Sequence, residues 1–306
     1  MSKNRERQTI EAGDVGSVES VLEDAHISPE SRGVAMEAAK SQAVGQVGGY
    51  DAEDLGAGFE DFKQEDLVIP FLALLQKGSP QVEDDNAARI EGARAGMLMN
   101  TVTQELIDGK TGIRFIPVHR DHKFIEWKDR DAGGGLLGVY DPEDKYVAEW
   151  KAKSKEFGKI PTEEGSLSET FTVYGLIVKG TGMDAAALDY EPVAISFAST
   201  QLKAYKKWMT QAMGCVTRGE NGARFPLPMF AHIYRLKTVL QQNNKGTWHG
   251  WAIGFDGANA AECRLPQDHP LYQAAKAFRD VVKSGKAIAN RETSAAAAAD
   301  DDDTKF

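Results

Sequence analysis

The pattern of apolar and polar positions predicts a folded body between residues 67 and 290. Residues 1–66 carry single scattered hydrophobic residues among Gly, Ser, Ala and acids, a composition typical of disordered segments. Residues 291–306 are a low-complexity alanine run followed by an acidic cluster. The sequence thus predicts an acidic, mostly disordered arm, one folded domain and a disordered acidic tail.

Apolar runs inside the body predict β-strands. Residues 112–119 and 121–128 are two runs rich in branched and aromatic side chains. Residues 171–179 are apolar on both alternating faces, and residues 192–198 resemble them. Strands of that kind need cover on both faces, so we expect them at the centre of a sheet.

Two later runs alternate apolar and polar positions and also predict strands. In residues 229–240 the larger apolar side chains share one face, which leaves Arg235 and Lys237 exposed. In residues 247–255, Trp248 shares its face only with glycine and alanine. Such a strand admits the close approach of a flat ligand or of another element. Trp248 therefore either stacks on a ligand or covers a neighbouring helix.

Helical spacing predicts four helices, at residues 70–77, 143–157, 201–213 and 270–285. The first lies between Pro70 and Gly78, residues that favour the start and the end of a helix. The last repeats its apolar residues on one stripe and ends at a glycine. Together with the strands, these helices predict a mixed α+β fold.

The helix at 201–213 is amphipathic and basic. Tyr205 lies on its apolar side, and Lys203 and Lys207 lie on the opposite side. Lys206 and Trp208 lie at the two borders, so Trp208 is either a core residue or a surface residue. The lysines predict an exposed basic edge.

The net charge of −10 is unevenly placed. Residues 1–66 hold 6 Lys and Arg against 15 Asp and Glu, and residues 291–306 hold 2 against 5, so the body is nearly neutral. An acidic chain does not coat duplex DNA by bulk charge, but a local basic strip on the body remains available. Two cysteines make no disulfide framework, and no apolar run spans a membrane. We expect a soluble, cytoplasmic protein without a membrane partner.

Residues 199–255 form a basic-aromatic stretch, with eight Lys and Arg against one acid, Glu220. Cations neutralise phosphates and flat rings stack on bases, so this mixture predicts binding of single-stranded nucleic acid without sequence readout. Tyr205, Tyr234 and Trp251 are assigned to the core. The candidate nucleic-acid-binding residues are Lys203, Lys206, Lys207, Trp208, Arg218, Arg224, Phe225, Arg235, Lys237 and Trp248.

A glycine-rich loop, DRDAGGGLLG at residues 129–138, supplies one more candidate, Arg130. No Gly-Lys-Ser/Thr follows the glycines, so a mobile hairpin loop is favoured over a phosphate-binding loop. Arg130 is available there to a backbone phosphate.

Catalytic motifs are missing from the sequence. His119 and His122 are three positions apart beside Asp121, and they make either a metal site or a structural pair. Cys215 has no histidine placed to activate it. We therefore expect a protein that is not an enzyme and needs no cofactor. The alternatives are a metal-dependent nuclease or recombination enzyme, and a phage structural, assembly or RNA-polymerase-associated protein.

The tail SAAAAADDDDTKF resembles the C-terminal tip of bacterial and phage single-stranded-DNA-binding proteins. Inside the body, STQLKAYKKWM resembles phage early proteins of DNA replication. The first resemblance implies an OB-like antiparallel β-barrel core, with added helices in this chain, that coats single-stranded DNA in replication or recombination. Such a protein is compatible with a homo-oligomer. The first resemblance further implies that the tail recruits replication or recombination proteins. The partner-binding residues would then be Asp300, Asp301, Asp302, Asp303 and Phe306.

Overall fold

A computed structural model describes residues 58, 68–129, 132–154, 159–182, 189–244, 246–285, 287 and 289. Apart from Gly58, all of them belong to one compact unit, Gln64–Phe306. The predicted arm at residues 1–66, Gly58 excepted, and the predicted tail at 291–306 lie outside the described residues.

The described residues contain twelve strands and three α-helices. The strands are β1 (Leu72–Leu74), β2 (Leu98–Asn100), β3 (Leu106–Ile107), β4 (Ile113–Lys128), β5 (Leu136–Tyr140), β6 (Lys159–Pro161), β7 (Gly165–Val178), β8 (Tyr190–Ala198), β9 (Val216–Arg218), β10 (Arg224–Pro226), β11 (Tyr234–Asn243) and β12 (Gly246–Phe255). The helices are α1 (Lys145–Lys153), α2 (Leu202–Met213) and α3 (Pro270–Lys283), with 3-10 turns at Ser199–Gln201 and Met229–Ala231.

The fold is organised around the long antiparallel pair β4 and β7. At one end of this pair the strand order is β12-β11-β4-β7-β8, and at the other end β5 flanks β4 and β6 flanks β7. The two predicted runs at 112–119 and 121–128 are therefore one strand of 16 residues. Its register shifts between Pro117 and His119. A proline lacks the N–H that a regular ladder needs, so an irregularity there lets the strand continue.

Apolar side chains cover both faces of the sheet. On the front face, Phe115 and Phe197 pack with Tyr205 and Trp208 of α2. At the far end of the same face, Val147 of α1 packs on Phe124. The register of β4 with β7 places Phe124 on this front face. On the back face, the apolar stripe of α3 packs against Ile116, Leu176 and their neighbours. Cover on both faces explains why residues 171–179 carry apolar side chains on both alternating faces, as predicted.

The predicted helix at 70–77 is wrong, because this segment contains the short strand β1. Leu72 pairs with Asn100 and Leu74 with Leu98, and the backbone carbonyl of Pro70 accepts a 2.9 Å hydrogen bond from the Ala194 amide. Pairing of this kind overrides the local signals of Pro70 and Gly78, since burial against other elements outweighs helix propensity in a segment this short.

The other three helices are confirmed, with slightly different ends, and the fold class is α+β with antiparallel sheets. Within the described ranges, no strand pairing joins β12 to β8, the two edge strands at one end of the large sheet. The sheet is therefore open there, and the predicted OB-type barrel is not confirmed. No helix in the described part of the chain is long and apolar enough to cross a membrane.

Candidate nucleic-acid interface

Helix α2 presents a row of lysines on the front of the molecule. Its buried residues are Leu202, Tyr205 and Trp208, while Lys203, Lys206 and Lys207 are exposed. The helix LKAYKKWMTQAM contains no acidic residue that could neutralise them. The periodicity thus correctly predicts which side of this helix carries the positive charge.

Trp208 lies in the core, because it is only 1% exposed. Its ring is surrounded by Phe115 at 6.2 Å, Phe197 at 6.0 Å and Tyr234 at 5.4 Å between ring centroids. A ring so enclosed has no face left for a base, which corrects the assignment of Trp208 to the nucleic-acid-binding set. Its position at the border of the helical stripe left both outcomes open; the sheet brings aromatic rings to that border.

The hairpin β9–β10 follows α2 and holds two of the predicted arginines. Arg218 and Arg224 are directly paired across its strands. Phe225 is paired with Thr217 and is 52% exposed. Like charges directly opposite each other destabilise a strand pair. An anion held between the two guanidinium groups would remove that repulsion.

We call Lys203, Lys206, Lys207, Arg218 and Arg224 together the basic ridge. In the described ranges, the side chains of Lys203, Lys207, Arg218 and Arg224 have no ion pair. The hairpin begins directly after α2, and its base is tied to the end of the helix because the Cys215 amide donates to the Ala212 carbonyl at 3.1 Å and the Cys215 carbonyl accepts from the Leu227 amide at 2.8 Å. The basic ridge is therefore one continuous piece of chain, and the charges of Lys203, Lys207, Arg218 and Arg224 are available in it.

Arg235 is occupied by an intramolecular partner. Its Nη2 lies 2.7 Å from Asp256 Oδ1, and the Nε of Arg114 lies 2.7 Å from Asp256 Oδ2. Arg114 is 5% exposed and also donates to the carbonyls of Gly180 and Gly182, at 3.2 and 2.7 Å. Arg235 thus belongs to a structural cluster. The sequence signal for this was Asp256, the first residue after the basic-aromatic stretch.

Lys237 and Trp248 lie on the back of the sheet, away from the basic ridge. In β11, Lys237 alternates with Tyr234 and Leu236, which pack into the front core with α2. In β12, Trp248 alternates with Trp251 of the same core in the same way. The sheet therefore separates the predicted stretch into two surfaces on opposite faces.

The Trp248 side chain is half-buried, so its ring is not fully exposed to solvent. Its Nε1 is buried and has no hydrogen-bond partner among the described residues. Gly250 does not leave open space beside it either, because a side chain there would collide with Gln241, the cross-strand partner of Trp248. Lys237 is exposed.

Arg120 is an exposed cation that the sequence analysis missed. It pairs in register with Val173, whose side chain belongs to the front core. Burial raises the pKa of Tyr205 on α2, whereas the positive charge of Arg120 lowers it. Arg120 therefore lies close to Tyr205. Arg120 adds a sixth positive charge beside the basic ridge. It was hidden because it lies between the two runs that were predicted as separate strands.

Two groups of predicted site residues fall outside the described part of the chain. The glycine-rich loop does join the hairpin β4–β5, as predicted, and the Lys128 amide donates to the Gly135 carbonyl at 2.9 Å. Arg130 itself lies outside the described residues, as do Asp300 to Asp303 and Phe306 of the tail.

His119 and His122 lie on opposite faces of the sheet and do not converge on one site. His122 stacks on Phe171 of the front core at 4.1 Å, and its Nε2 lies 3.1 Å from Glu169 Oε1. His119 lies beside Tyr174 of the back core, and burial lowers its pKa. Across the described ranges, no group of three or more His, Cys, Asp and Glu side chains could hold a metal ion. The two histidines are therefore separate structural residues.

Comparison with curated proteins and with solved structures gives no match. A family model described as "Pam3 phage gp34-like protein" matches residues 39–288. The match covers nearly all of the described sheet and helices together with part of the N-terminal arm, and it supports the expectation of a phage protein. The chain belongs to the Pam3 phage gp34-like family.

Proposed function

We propose that this protein binds single-stranded DNA without sequence specificity, through the basic ridge and the exposed ring of Phe225. It would act in phage DNA replication or recombination, in the cytoplasm of the host. Binding would need no cofactor and involve no catalysis. A flat or open sheet can serve this role as well as a closed OB-type barrel, since the recognition requires only cations for the backbone and rings for the bases.

The observation that carries this proposal is the pairing of Arg218 with Arg224 beside the exposed Phe225. Two unpaired guanidinium groups held opposite each other form a site for one phosphate, to which each can donate charge-assisted hydrogen bonds. Phe225 follows Arg224 in β10, so its exposed ring lies on the opposite face of this narrow hairpin. A single strand that wraps around the hairpin would place a phosphate between the arginines and a base on this ring. Lys203 and Lys207 continue the positive charge along α2.

The interface we propose is narrower than the sequence stretch. Trp208 is left out because it is buried, and Arg235 because its guanidinium is held by Asp256. Lys237 and Trp248 are left out because they lie on the other face of the sheet. Arg120 is added because it lies beside α2.

The acidic tail would recruit replication or recombination proteins through Asp300 to Asp303 and Phe306. Its support is the sequence alone: four aspartates and a terminal phenylalanine combine a charged surface with one apolar anchor. A homo-oligomer on the strand is compatible with this arrangement.

The test measures affinity for a fluorescently labelled oligo-dT by anisotropy at several salt concentrations. For the double variant Arg218→Gln/Arg224→Gln we expect affinity to fall about 10- to 100-fold at low salt, because two charge-assisted contacts are lost. The slope of log affinity against log salt should become shallower by about 0.7, the value for one phosphate contact on a single strand. Phe225→Ala should weaken binding by about 1–3 kcal/mol and leave the slope unchanged.

The matched control is Lys276→Gln/Lys283→Gln, which removes the same charge from exposed positions of α3 on the back face. This control should bind almost normally. Equal losses in both double variants would show only a general effect of net charge, and absence of binding by the unmodified protein at low salt would refute the proposal outright.

A further inference from the structure

A pocket of about 420 Å³ lies at the far end of the front face, between α1 and the ends of β4 and β5. Aromatic side chains form part of its wall, namely Tyr140, Tyr146 and Trp150. Tyr140 and Tyr146 stack at 4.7 Å, and Tyr146 meets Trp150 edge-on at 6.3 Å between ring centroids. This volume falls in the range of pockets that hold small ligands.

A buried carboxylate faces the tyrosines. Glu126 is 4% exposed, and its two oxygens accept hydrogen bonds from the hydroxyls of Tyr140, at 3.0 Å, and Tyr146, at 2.8 Å. Burial and the hydrogen bond to Glu126 raise the pKa of Tyr146 to about 12, so this phenol stays protonated and donates. In the described ranges no Lys, Arg or His forms an ion pair with Glu126. A buried carboxylate with only neutral donors leaves its charge uncompensated.

The rest of the lining strengthens the negative charge. Glu149, Glu163 and Glu164 also line the pocket, and among the described lining residues Lys153 is the only cation. The ammonium of Lys153 lies 4.5 Å from the centre of the Trp150 ring. The wall of this pocket thus already holds a cation over an aromatic face, in the geometry of a cation–π contact.

The local sequences of β4 and β5 favour this arrangement. Glu126 occupies a front-face position of β4 that would otherwise suit an apolar residue, next to Phe124. Its cross-strand partner is Gly138, where any side chain would collide with the ring of Tyr140. Gly138 therefore makes room for Tyr140 to reach Glu126. Two tyrosines and a glycine are thus arranged around one buried acid.

We propose that this pocket binds a small organic cation, a primary ammonium or guanidinium group, between the aromatic rings and the carboxylate of Glu126. Carboxylates compensate the charge of such a group, and ring faces attract it. The same chemistry is offered by a free polyamine and by a lysine or arginine side chain of a partner protein. The proposal does not depend on DNA binding, because the pocket and the basic ridge lie at opposite ends of the sheet.

Isothermal titration calorimetry with spermidine and with N-acetyl-arginine amide tests the proposal and separates the two sources. The neutral N-acetyl-citrulline amide has nearly the same shape as the arginine probe and serves as the ligand control. We expect binding of at least one cation and at least tenfold weaker binding of the neutral probe. Tighter binding of spermidine would favour a free polyamine, and tighter binding of the arginine probe would favour a side chain of a partner.

Two protein variants locate the binding. Glu126→Gln should reduce affinity at least tenfold, and Glu149→Gln, at an exposed position of α1, should reduce it about threefold without a risk to folding. Glu143→Gln removes the same charge from the exposed turn before α1 and should leave affinity unchanged. The inference is overturned if the neutral probe binds as well as the cations, or if Glu143→Gln weakens binding as much as Glu149→Gln.

Discussion

Asp256 shows how much of this fold depends on a single carboxylate. It pairs with Arg114 of β4 and Arg235 of β11, two residues that are themselves directly opposite in the sheet. Arg114 is 5% exposed and cannot regain water without disrupting the back of the sheet. A buried charge without its partner costs far more than a pair on the surface.

We expect Asp256→Asn to lower the free energy of unfolding by about 3–5 kcal/mol, because the buried guanidinium of Arg114 loses its countercharge. Urea unfolding followed by fluorescence measures the change. The control is Asp280→Asn, which removes the acid of an exposed pair with Arg279. That change should cost less than about 1 kcal/mol. Similar losses for the two variants would contradict the structural role of the cluster.

At the scale of elements, the outer edge of β12 is completed by side chains. The Gln76 side chain donates to the His249 carbonyl at 2.9 Å and accepts from the His249 amide at 2.8 Å. Gln201 makes the equivalent pair, donating to the same carbonyl at 3.2 Å and accepting from the Trp251 amide at 3.2 Å. Two amide side chains thus take the place of a neighbouring strand, which protects this edge from pairing with another chain.

Replacing Gln201 by leucine should destabilise the protein by about 1–3 kcal/mol, since the Trp251 amide then loses its hydrogen-bond acceptor in a buried position. Hydrogen exchange measured by mass spectrometry should show faster exchange in β12 than in the original chain. Gln211→Leu changes an exposed glutamine on α2 and should leave exchange in β12 unaltered. Unchanged exchange in the Gln201 variant would show that the edge does not depend on this side chain.

The sequence predicts these elements unequally well. β7, α2 and α3 were predicted because their patterns extend over many residues and match one period. β1 was missed because three residues carry no period, and its state depends on pairing with β2. Pairs between distant segments, such as Arg114 with Asp256, leave no local signal at all. Gln76 and Gln201 gave none for the same reason.

At the scale of the whole molecule, the sheet determines which cations lie on the same face. A basic-aromatic stretch that reads as one unit in sequence lies on two faces, because β11 and β12 alternate their side chains across the sheet. The lysines of α2 and the arginines of the β9–β10 hairpin follow one another along one continuous stretch of chain. The sequence predicted the exposure of these lysines from helical spacing, but it could not predict the division, which depends on where α2 packs.

Removing residues 291–306 should tighten DNA binding about 2- to 10-fold at low salt, because the acidic tail competes with DNA for the basic ridge. Anisotropy measurements at rising salt should show the difference vanish as the charges are screened. A full-length chain with Asp300 to Asp303 changed to asparagine separates charge from length and should behave like the deletion. Weaker binding after the deletion would contradict competition by the tail.

The length of β4 has a consequence for biosynthesis on the ribosome. Its later part can pair with β5 and β7 soon after synthesis, but the edge at Ile113 and Phe115 waits for Leu236 and Tyr234, which follow about 120 residues later. Until β11 emerges, a nascent chain exposes an apolar strand edge of the kind that recruits other chains. Chaperone demand should therefore be highest for chains whose synthesis stalls before residue 234.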